Sequence, residues 1–369
     1  VTVTGVDDNT ADGHKEYGIS LSSSGRETDD PLVTTLAGSS SGFANGTGTA
    51  AKFTFPKGMN SDGTNLYVAD VNHVIRKIVI STGVVTTLAG SAGSSGSADG
   101  TGTSARFLHP EGITNDGTNL YVVETNNHTI RKIVISTGVV TTLAGSAGSS
   151  GSADGTGTAA RFKYPRKITT DGTNLYVADA SNHTIRRIVI STGVVTTFAG
   201  SAGSSGSTDG TGTAARFNSP YGITSDGTNI YVADTYNHKI RKIVISTGEV
   251  TTFTGPAAGS TTSGSTNGTG TSARFNKPRD ITTDGTNLYV ADGDNHEIRK
   301  VVISTGAVTT LAGTGSVGST NGTGSAASFN YPNGIVSEAN NVYVADYTNH
   351  RIRKIALRIS ETADIGLTN

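Results

Sequence analysis

The sequence contains no cysteine and no tryptophan, and only one of its 369 residues is methionine. The lack of cysteine excludes disulfides, thiolate metal sites and thiol nucleophiles, but it does not fix the cellular compartment. Charged residues make up only 15% of the chain and the formal net charge is −1, so the strongly basic surface of a typical nucleic-acid binder is missing. No apolar run is long enough to span a bilayer, and we expect no membrane insertion.

What the sequence has instead is glycine, with 49 residues, surrounded by serine and threonine. A charge-poor composition of this kind without cysteine is typical of a bacterial extracellular or cell-surface protein, and we expect that location. The chain begins with Val1 and shows no signal peptide. We therefore expect a processed product or a piece of a larger protein.

An Asn-His pair recurs six times, with successive histidines 55, 55, 55, 58 and 54 residues apart. Self-similarity at a fixed period is the signature of a repeat architecture. Each copy predicts four short strands, as in PEGIT, LYVVE, TIRKIVI and VVTTLAG, which are separated by DGTN, an Asn-His turn and STG. The strands are apolar at consecutive positions, so both faces of each strand should be covered.

Six four-stranded antiparallel units that are covered on both faces predict an all-β, six-bladed β-propeller. The expected blades span about 41–90, 91–145, 146–200, 201–255, 256–313 and 314–358. The sixth copy lacks its VVTTLAG strand, and a matching LVTTLAG stands at 32–38. We therefore expect residues 33–38 to form the outermost strand of the last blade and to close the ring, so that the propeller occupies residues 31–358.

The recurring pattern P-x-G-I, LYVAD, NH and IRKI resembles the NHL-repeat propellers over roughly residues 40–358. Residues 1–30 predict a β-hairpin that resembles the end of a Calx-beta or immunoglobulin-like bacterial surface module, and residues 359–369 form a tail. The acidic turn of that hairpin would suit calcium only within a complete module. No cofactor is predicted.

Each copy also repeats a histidine and an arginine three residues later. Equivalent residues on separate blades lie too far apart to share one ion, because zinc needs its ligands at about 2.0–2.1 Å. We interpret these residues as the structural frame, satisfying polar groups between blades, and predict no metal site. The set comprises His73, His128, His183, His238, His296, His350, Arg76, Arg131, Arg186, Arg241, Arg299 and Arg353.

The glycine-rich connection between copies, such as GSAGSSGSADGTGTAARF, lacks the Lys-Ser/Thr ending of a phosphate-binding loop. It predicts a covering loop. We expect its AARF end to form one helical turn, with the phenylalanine inserted in the blade interface.

If the repeated residues are frame, ligand binding should use the positions where the copies differ. These positions flank the proline before the innermost strand, at the mouth of the channel, and the turns between the second and third strands lie on the same face. A concave mouth with mixed aromatic and cationic groups predicts a ligand surface. The candidate binding residues are Phe55, Lys57, His109, Glu111, Tyr164, Arg166, Tyr221, Tyr236, Lys277, Arg279, Tyr331, Asn333 and Tyr347, with Asp294 beside them.

We therefore expect a non-enzymatic interaction or structural module whose partner is a protein or a glycan. A second expectation is that copies of the chain assemble into a filament through unpaired edges of the terminal strands. The resemblance also implies two alternatives, an RNA-binding NHL domain and a lyase- or lactonase-like enzyme with a channel metal. RNA binding is disfavoured by the missing basic stripe, and the enzyme by the lack of three converging ligands, since only His109, Glu111 and the distant Asp280 qualify. No catalytic residue is predicted.

Overall fold

The structure, a computed structural model, describes residues 30–357. The hairpin expected within residues 1–30 and the tail 359–369 lie outside the described residues, apart from Asp30. Within the described part, no helix is long and apolar enough to cross a membrane.

The first three blades follow one another along the chain, and each contains one two-residue strand and four longer ones. Blade 1 contains β2 (Gly46–Thr47), β3 (Pro56–Ser61), β4 (Asn65–Asp70), β5 (Val74–Val79) and β6 (Val84–Gly90). Blade 2 contains β7 (Gly100–Thr101), β8 (Pro110–Asn115), β9 (Asn119–Glu124), β10 (Thr129–Val134) and β11 (Val139–Gly145). Blade 3 contains β12 (Gly155–Thr156), β13 (Pro165–Thr170), β14 (Asn174–Asp179), β15 (Thr184–Val189) and β16 (Val194–Gly200).

The last three blades repeat this order, and blade 6 takes one strand from the beginning of the described chain, β1 (Leu32–Ala37). Blade 4 contains β17 (Gly210–Thr211), β18 (Pro220–Ser225), β19 (Asn229–Asp234), β20 (Lys239–Val244) and β21 (Glu249–Thr254). Blade 5 contains β22 (Gly268–Thr269), β23 (Pro278–Thr283), β24 (Asn287–Asp292), β25 (Glu297–Val302) and β26 (Ala307–Ala312). Blade 6 contains β27 (Gly322–Thr323), β28 (Pro332–Glu338), β29 (Asn341–Asp346), β30 (Arg351–Ala356) and β1.

Each blade is a fully antiparallel sheet, and the six blades form the predicted all-β, six-bladed propeller. The blades have five strands rather than the four expected, because the two-residue strand of the glycine-rich connection pairs with the outer edge of the fourth strand. In blade 2, Val139 and Val140 of β11 pair with Thr101 and Gly100 of β7. Two residues carry too short a pattern to be recognised as a strand in the sequence.

The ring closes as predicted, because β1 occupies the position of the fourth strand in blade 6. Leu32, Val33, Thr34 and Thr35 pair in register with Ala356, Ile355, Lys354 and Arg353 of β30. On the other side of β1, Leu32 and Val33 pair with β27. The first and last described segments of the chain are therefore joined by a backbone hydrogen-bond ladder.

The apolar cores lie between neighbouring blades, which explains why both faces of the strands are apolar. Six clusters of this kind occur, one at each interface. The interface between blades 6 and 1 packs Tyr343 and Ile352 against Phe53 and Leu66. The phenylalanines expected in the interfaces are all fully buried: Phe53, Phe107, Phe162, Phe217, Phe275 and Phe329.

The hairpin between the first two of the longer strands, such as β8 and β9 of blade 2, is built by an Asp-Gly turn. In blade 2, Asp116 Oδ1 accepts the backbone N–H groups of Thr118 at 2.9 Å and Asn119 at 2.7 Å, and its Oδ2 accepts the Tyr121 hydroxyl at 2.7 Å. Gly117 has φ +86°, which an L side chain rarely adopts. One aspartate thus fixes both the turn and the tyrosine that packs below it.

Ten three-residue 3-10 helices complete the described chain. Six follow the two-residue strands, at Gly48–Ala50, Gly102–Ser104, Gly157–Ala159, Gly212–Ala214, Gly270–Ser272 and Gly324–Ala326. Four form turns between the second and third of the four longer strands of a blade, as between β14 and β15 in blade 3. These four are Ala180–Asn182, Thr235–Asn237, Gly293–Asn295 and Tyr347–Asn349. The helical turn expected at AARF is therefore wrong by a few residues, because Ala160 already has extended backbone that directs Phe162 into the interface.

Candidate binding site at the channel mouth

The residue before the repeated proline of each blade turns the chain toward the channel by adopting a left-handed conformation. The six positions have φ between +47° and +57°, namely Phe55, His109, Tyr164, Ser219, Lys277 and Tyr331. This geometry is uncommon for residues other than glycine. Its consequence is that the innermost strand begins at the proline, and the residue after the proline lies at the mouth.

The repeated histidines hold this turn in place from the neighbouring blade. The backbone N–H of Ser219 donates to Nδ1 of His183 at 3.1 Å, and the N–H of Tyr164 donates to Nδ1 of His128 at 3.2 Å. The same contact from Phe55 to His350, at 3.1 Å, joins blade 1 to blade 6. Burial lowers the pKa of His183, so its ring remains a neutral acceptor near neutrality.

The repeated arginines hold the connecting loops. Arg186 is fully buried and donates two hydrogen bonds to the connecting loop. Its Nη1 donates to Arg161 O at 2.7 Å and its Nη2 donates to Ala153 O at 3.0 Å. Nη1 also lies 3.1 Å from Asp179 Oδ2, and the guanidinium carbon lies 5.2 Å from the Phe162 ring centroid. The repeated histidines and arginines thus contact the frame, rather than the channel.

The six residues that follow the prolines form what we call the mouth ring: Lys57, Glu111, Arg166, Tyr221, Arg279 and Asn333. Glu111 is its buried anchor, with no exposed surface. Its Oε2 accepts from Lys57 Nζ at 3.0 Å, Arg166 Nη1 at 2.8 Å and Thr125 Oγ1 at 2.8 Å. Burial opposes ionisation, but the charges of Lys57, Arg166 and Lys167 outweigh it and lower the pKa of Glu111 to about 2.

One position further along, four of the six blades carry glycine, because the innermost strands approach each other closely. A Cβ on Gly58 would collide with Glu111 O, and a Cβ on Gly334 would collide with Lys57 O. The two exceptions are Lys167 of blade 3 and Asp280 of blade 5, whose Nζ and Oδ2 lie 3.0 Å apart. This buried ion pair crosses the channel between non-adjacent blades.

The ion pair narrows the channel below the mouth ring. Lys167 Nζ also donates to Lys57 O at 3.2 Å, so one side chain contacts groups from blades 1 and 5. The channel there has a cavity of about 50 Å³, lined by polar groups that include Asn60, Thr114 and Thr224. That space suits a few water molecules rather than an organic substrate.

Blades 3 to 5 place a stacked arrangement of cationic and aromatic side chains on the mouth. The guanidinium carbons of Arg166 and Arg279 lie 5.2 and 5.6 Å from the ring centroid of Tyr221. Asp294 pairs with Lys277 at 2.7 Å and with Arg279 at 3.6 Å. Cation–π contacts of this kind orient the guanidinium groups while leaving their N–H edges available.

The remaining predicted residues lie around this patch. Tyr164 and Tyr236 are 42% and 48% exposed, and Tyr331 lies below Arg279, with its ring centroid 5.8 Å from the guanidinium carbon. On the opposite side of the mouth, the rings of Phe55 and Tyr347 are 4.9 Å apart.

The candidate metal ligands do not assemble into a site. Glu111 is occupied by cations, Asp280 pairs with Lys167, and the His109 ring packs against His73 with centroids 5.3 Å apart. Among residues 30–357, no three His, Asp or Glu side chains are grouped to hold a metal ion.

Sequence reasoning missed the ion pair between Lys167 and Asp280. The signal was present, since both residues replace glycine at the same position of the repeat and carry opposite charges. The packing of two arginines against Tyr221 was also missed, because it depends on side-chain direction rather than on order in the sequence.

Comparison with known proteins gives one repeat match and a shared fold. The family model for the NHL repeat matches residues 329–355. The chain is 29% identical over 328 residues to Protein Suppressor of Quenching 1 of Arabidopsis thaliana, covering 84% of this chain and 31% of that protein. It is 28% identical over 346 residues to NHL repeat-containing protein 2 of Gallus gallus, covering 84% of this chain and 47% of that protein. The chain thus spans less than half the length of these curated relatives.

Among solved structures, an auxiliary nutrient binding protein of Bacteroides thetaiotaomicron superposes with a TM-score of 0.66 and 19% identity. The superposition covers 88% of this chain and 76% of the other. At that identity the likeness concerns the fold.

Proposed function

Because this chain is an NHL-repeat six-bladed propeller, we propose that it is a non-enzymatic binding module that docks a protein partner on its channel-mouth face. The observation that carries the proposal is the contrast between frame and mouth. Histidine and arginine recur in every blade and contact neighbouring backbone, whereas the residues of the mouth ring differ in nearly every blade.

The chemistry of the mouth supports recognition rather than catalysis. Its one fully buried carboxylate, Glu111, is held ionised by two cations at 3.0 and 2.8 Å, so it does not suit general acid–base work near neutral pH. The exposed groups around it are tyrosine and arginine, which are the residue types enriched at the energetic centres of protein interfaces. A bacterial cell-surface or extracellular setting agrees with the composition and is part of the proposal.

Site-specific photo-crosslinking tests the proposed docking face. A photoreactive phenylalanine derivative would replace Tyr164 or Tyr236 on the mouth, and Val317 as the matched control. Val317 is 62% exposed and lies in the connecting loop between blades 5 and 6, outside the mouth ring. We expect both mouth positions, and not position 317, to form adducts with the same protein of the native extract.

The adduct must then be reproduced with purified components. The isolated partner should bind the chain, and Tyr236→Ala should weaken that binding by about tenfold, the usual effect of removing an interface aromatic anchor. Adducts confined to position 317, or equal binding by the Tyr236→Ala variant and the unsubstituted chain, would reject the mouth as the docking face.

A further inference from the structure

Among residues 30–357, the mouth carries two positive charges that no acidic side chain balances. Glu111 is shared by Lys57 and Arg166, at 3.0 and 2.8 Å. Asp294 is likewise shared by Lys277 and Arg279, at 2.7 and 3.6 Å. Each carboxylate thus faces two cations, and one unit of positive charge remains in each group.

Asp280, which lies below the mouth ring, does not change this balance. Asp280 pairs with Lys167 at 3.0 Å, and that pair is neutral by itself. The mouth is therefore cationic by two charges on a chain whose formal net charge is −1. An anion approaching this face meets a local potential opposite to the average of the molecule.

The separation of the two uncompensated charges has an upper limit. The guanidinium carbons of Arg166 and Arg279 both pack against Tyr221, at 5.2 and 5.6 Å from its ring centroid. Those two distances limit the separation of the guanidinium carbons to about 11 Å. Tyr221 is only 6% exposed, so both guanidinium groups pack against an almost buried residue.

Each guanidinium retains hydrogen-bonding capacity toward a ligand. The Arg166 side chain is 30% exposed and uses Nη1 for Glu111. The Arg279 side chain is 20% exposed, and its only ion pair is the contact of Nη2 with Asp294 within the described chain. A guanidinium has five N–H donors in a fork that matches a carboxylate, so both arginines can donate to a further carboxylate.

From this charge balance and spacing, we propose that the mouth recognises an acidic peptide segment carrying two carboxylates, one for Arg166 and one for Arg279. In an extended peptide, side chains two residues apart lie on the same side at about 6.6–6.8 Å, which is within the limit set by the two guanidinium groups. The exposed rings of Tyr164 and Tyr236 flank the pair and supply contact area for the rest of the segment. This inference rests on the proposed docking face and names its partner's chemistry.

Fluorescence anisotropy with fluorescein-labelled hexaglutamate tests the proposal directly. At low ionic strength we expect saturable binding, with an affinity that falls as salt is added because exposed charge pairs are screened. Hexaglutamine should bind at least about tenfold more weakly, since it lacks the charge that the two arginines require. Tetragalacturonate, an acidic glycan, is the comparison that separates a peptide from a sugar acid.

Three variants locate the binding. Arg166→Gln and Arg279→Gln should each weaken hexaglutamate binding by about tenfold, the loss of one charge-assisted contact. Arg279→Lys should also weaken it, because a point charge does not reproduce the planar fork. Lys242→Gln, in β20 of blade 4, removes a positive charge that lies outside the mouth. This variant should bind hexaglutamate as the unsubstituted chain does.

The proposal is overturned if hexaglutamate fails to bind at low salt, if Arg166→Gln and Arg279→Gln bind like Lys242→Gln, or if tetragalacturonate binds more tightly than hexaglutamate. Thermal melting verifies that each variant is folded. If Arg166→Gln destabilises the chain by leaving Glu111 with one cation fewer, Arg279→Gln alone provides the test. If hexaglutamate fails while Tyr164 and Tyr236 still crosslink a partner, the acidic-segment proposal fails and the docking face stands. If crosslinking at both positions also fails, the docking face is rejected with it.

Discussion

Removal of β1 is the perturbation that most directly tests how the ring is held together. A chain beginning at residue 39 would lose the strand that pairs with β30 on one side and with β27 on the other. The remaining 39–357 segment would keep five intact blades and an incomplete sixth one. Every other blade is continuous in sequence, so the effect should be specific to this junction.

The expected loss of stability can be worked from the contacts of β1. Five of its residues pair with β30, and each backbone hydrogen bond contributes about 1 kcal/mol net. Val33 is fully buried among Phe329, Ile355 and their neighbours, and burial of a valine contributes about 1.5–3 kcal/mol. The total is on the order of 7 kcal/mol, a large part of the roughly 5–15 kcal/mol that stabilises a typical protein.

Thermal unfolding followed by circular dichroism provides the assay. For a chain of this size, about 1 kcal/mol corresponds to a shift of roughly 2–4 °C, so we expect the melting temperature to fall by at least about 10 °C. A synthetic peptide of residues 30–38 should restore it in a concentration-dependent manner, since a ligand of the folded state alone stabilises that state. The corresponding strand of blade 2, residues 139–145, offers a matched test peptide because Val140 takes the place of Val33.

The reasoning would be refuted by a truncated chain that melts at the same temperature and with the same cooperativity as the 30–357 chain. The reasoning would also be contradicted if a peptide carrying Val33→Asp restored the melting temperature as effectively as the native peptide. That result would mean that the strand adds no buried side chain to the blade.

Three further perturbations address the frame and the mouth. His183→Ala leaves the Ser219 N–H without its acceptor, and we expect a loss of about 1–3 kcal/mol in denaturant unfolding, with Asn less harmful at this left-handed position. Lys167→Met should cost about 3–5 kcal/mol by leaving Asp280 buried and unpaired, whereas adding Asp280→Leu should recover part of that loss in the same assay. Because the pKa of Glu111 is lowered to about 2 in the folded chain from 4.5, its contribution is present above pH 4.5 and lost as pH falls toward 2. Glu111→Gln should therefore flatten the acid-induced fall in melting temperature over that range, and an unchanged acid profile would contradict the assignment.

Much of the fold could be predicted because it is carried by local pattern and repetition. The Asp-Gly turn, the apolar runs and the Asn-His pair each recur at nearly constant spacing, so a signal that is weak in one copy becomes clear in six. The closing strand was predictable for the same reason, since LVTTLAG matches a strand that the last copy lacks. The two-residue fifth strand was not, because Gly-Thr has no periodicity that distinguishes it from the surrounding loop.

For the candidate site, the sequence predicts a position but not the contacts made there. The order of strands in a blade predicts that the position after each proline lies at the mouth, and sequence divergence between the copies drew attention to it. The ion pairs that connect different blades there join residues 54 to 113 positions apart, as in the pairs of Glu111 with Lys57 and of Lys167 with Asp280. No local rule relates such residues, because their distance is set by the tilt and packing of separate blades.

The amino-acid order by itself determined the number of blades, the strands within them, the closing segment and the residues that recur as frame, since all of these follow from short-range patterns repeated along the chain. Only the tertiary structure decided that an ion pair between Lys167 and Asp280 crosses the channel, and that Arg166 and Arg279 both pack against Tyr221 with two charges at the mouth left unbalanced. The physical reason is that electrostatic balance depends on distances between side chains of different blades, and those distances exist only after the ring has closed.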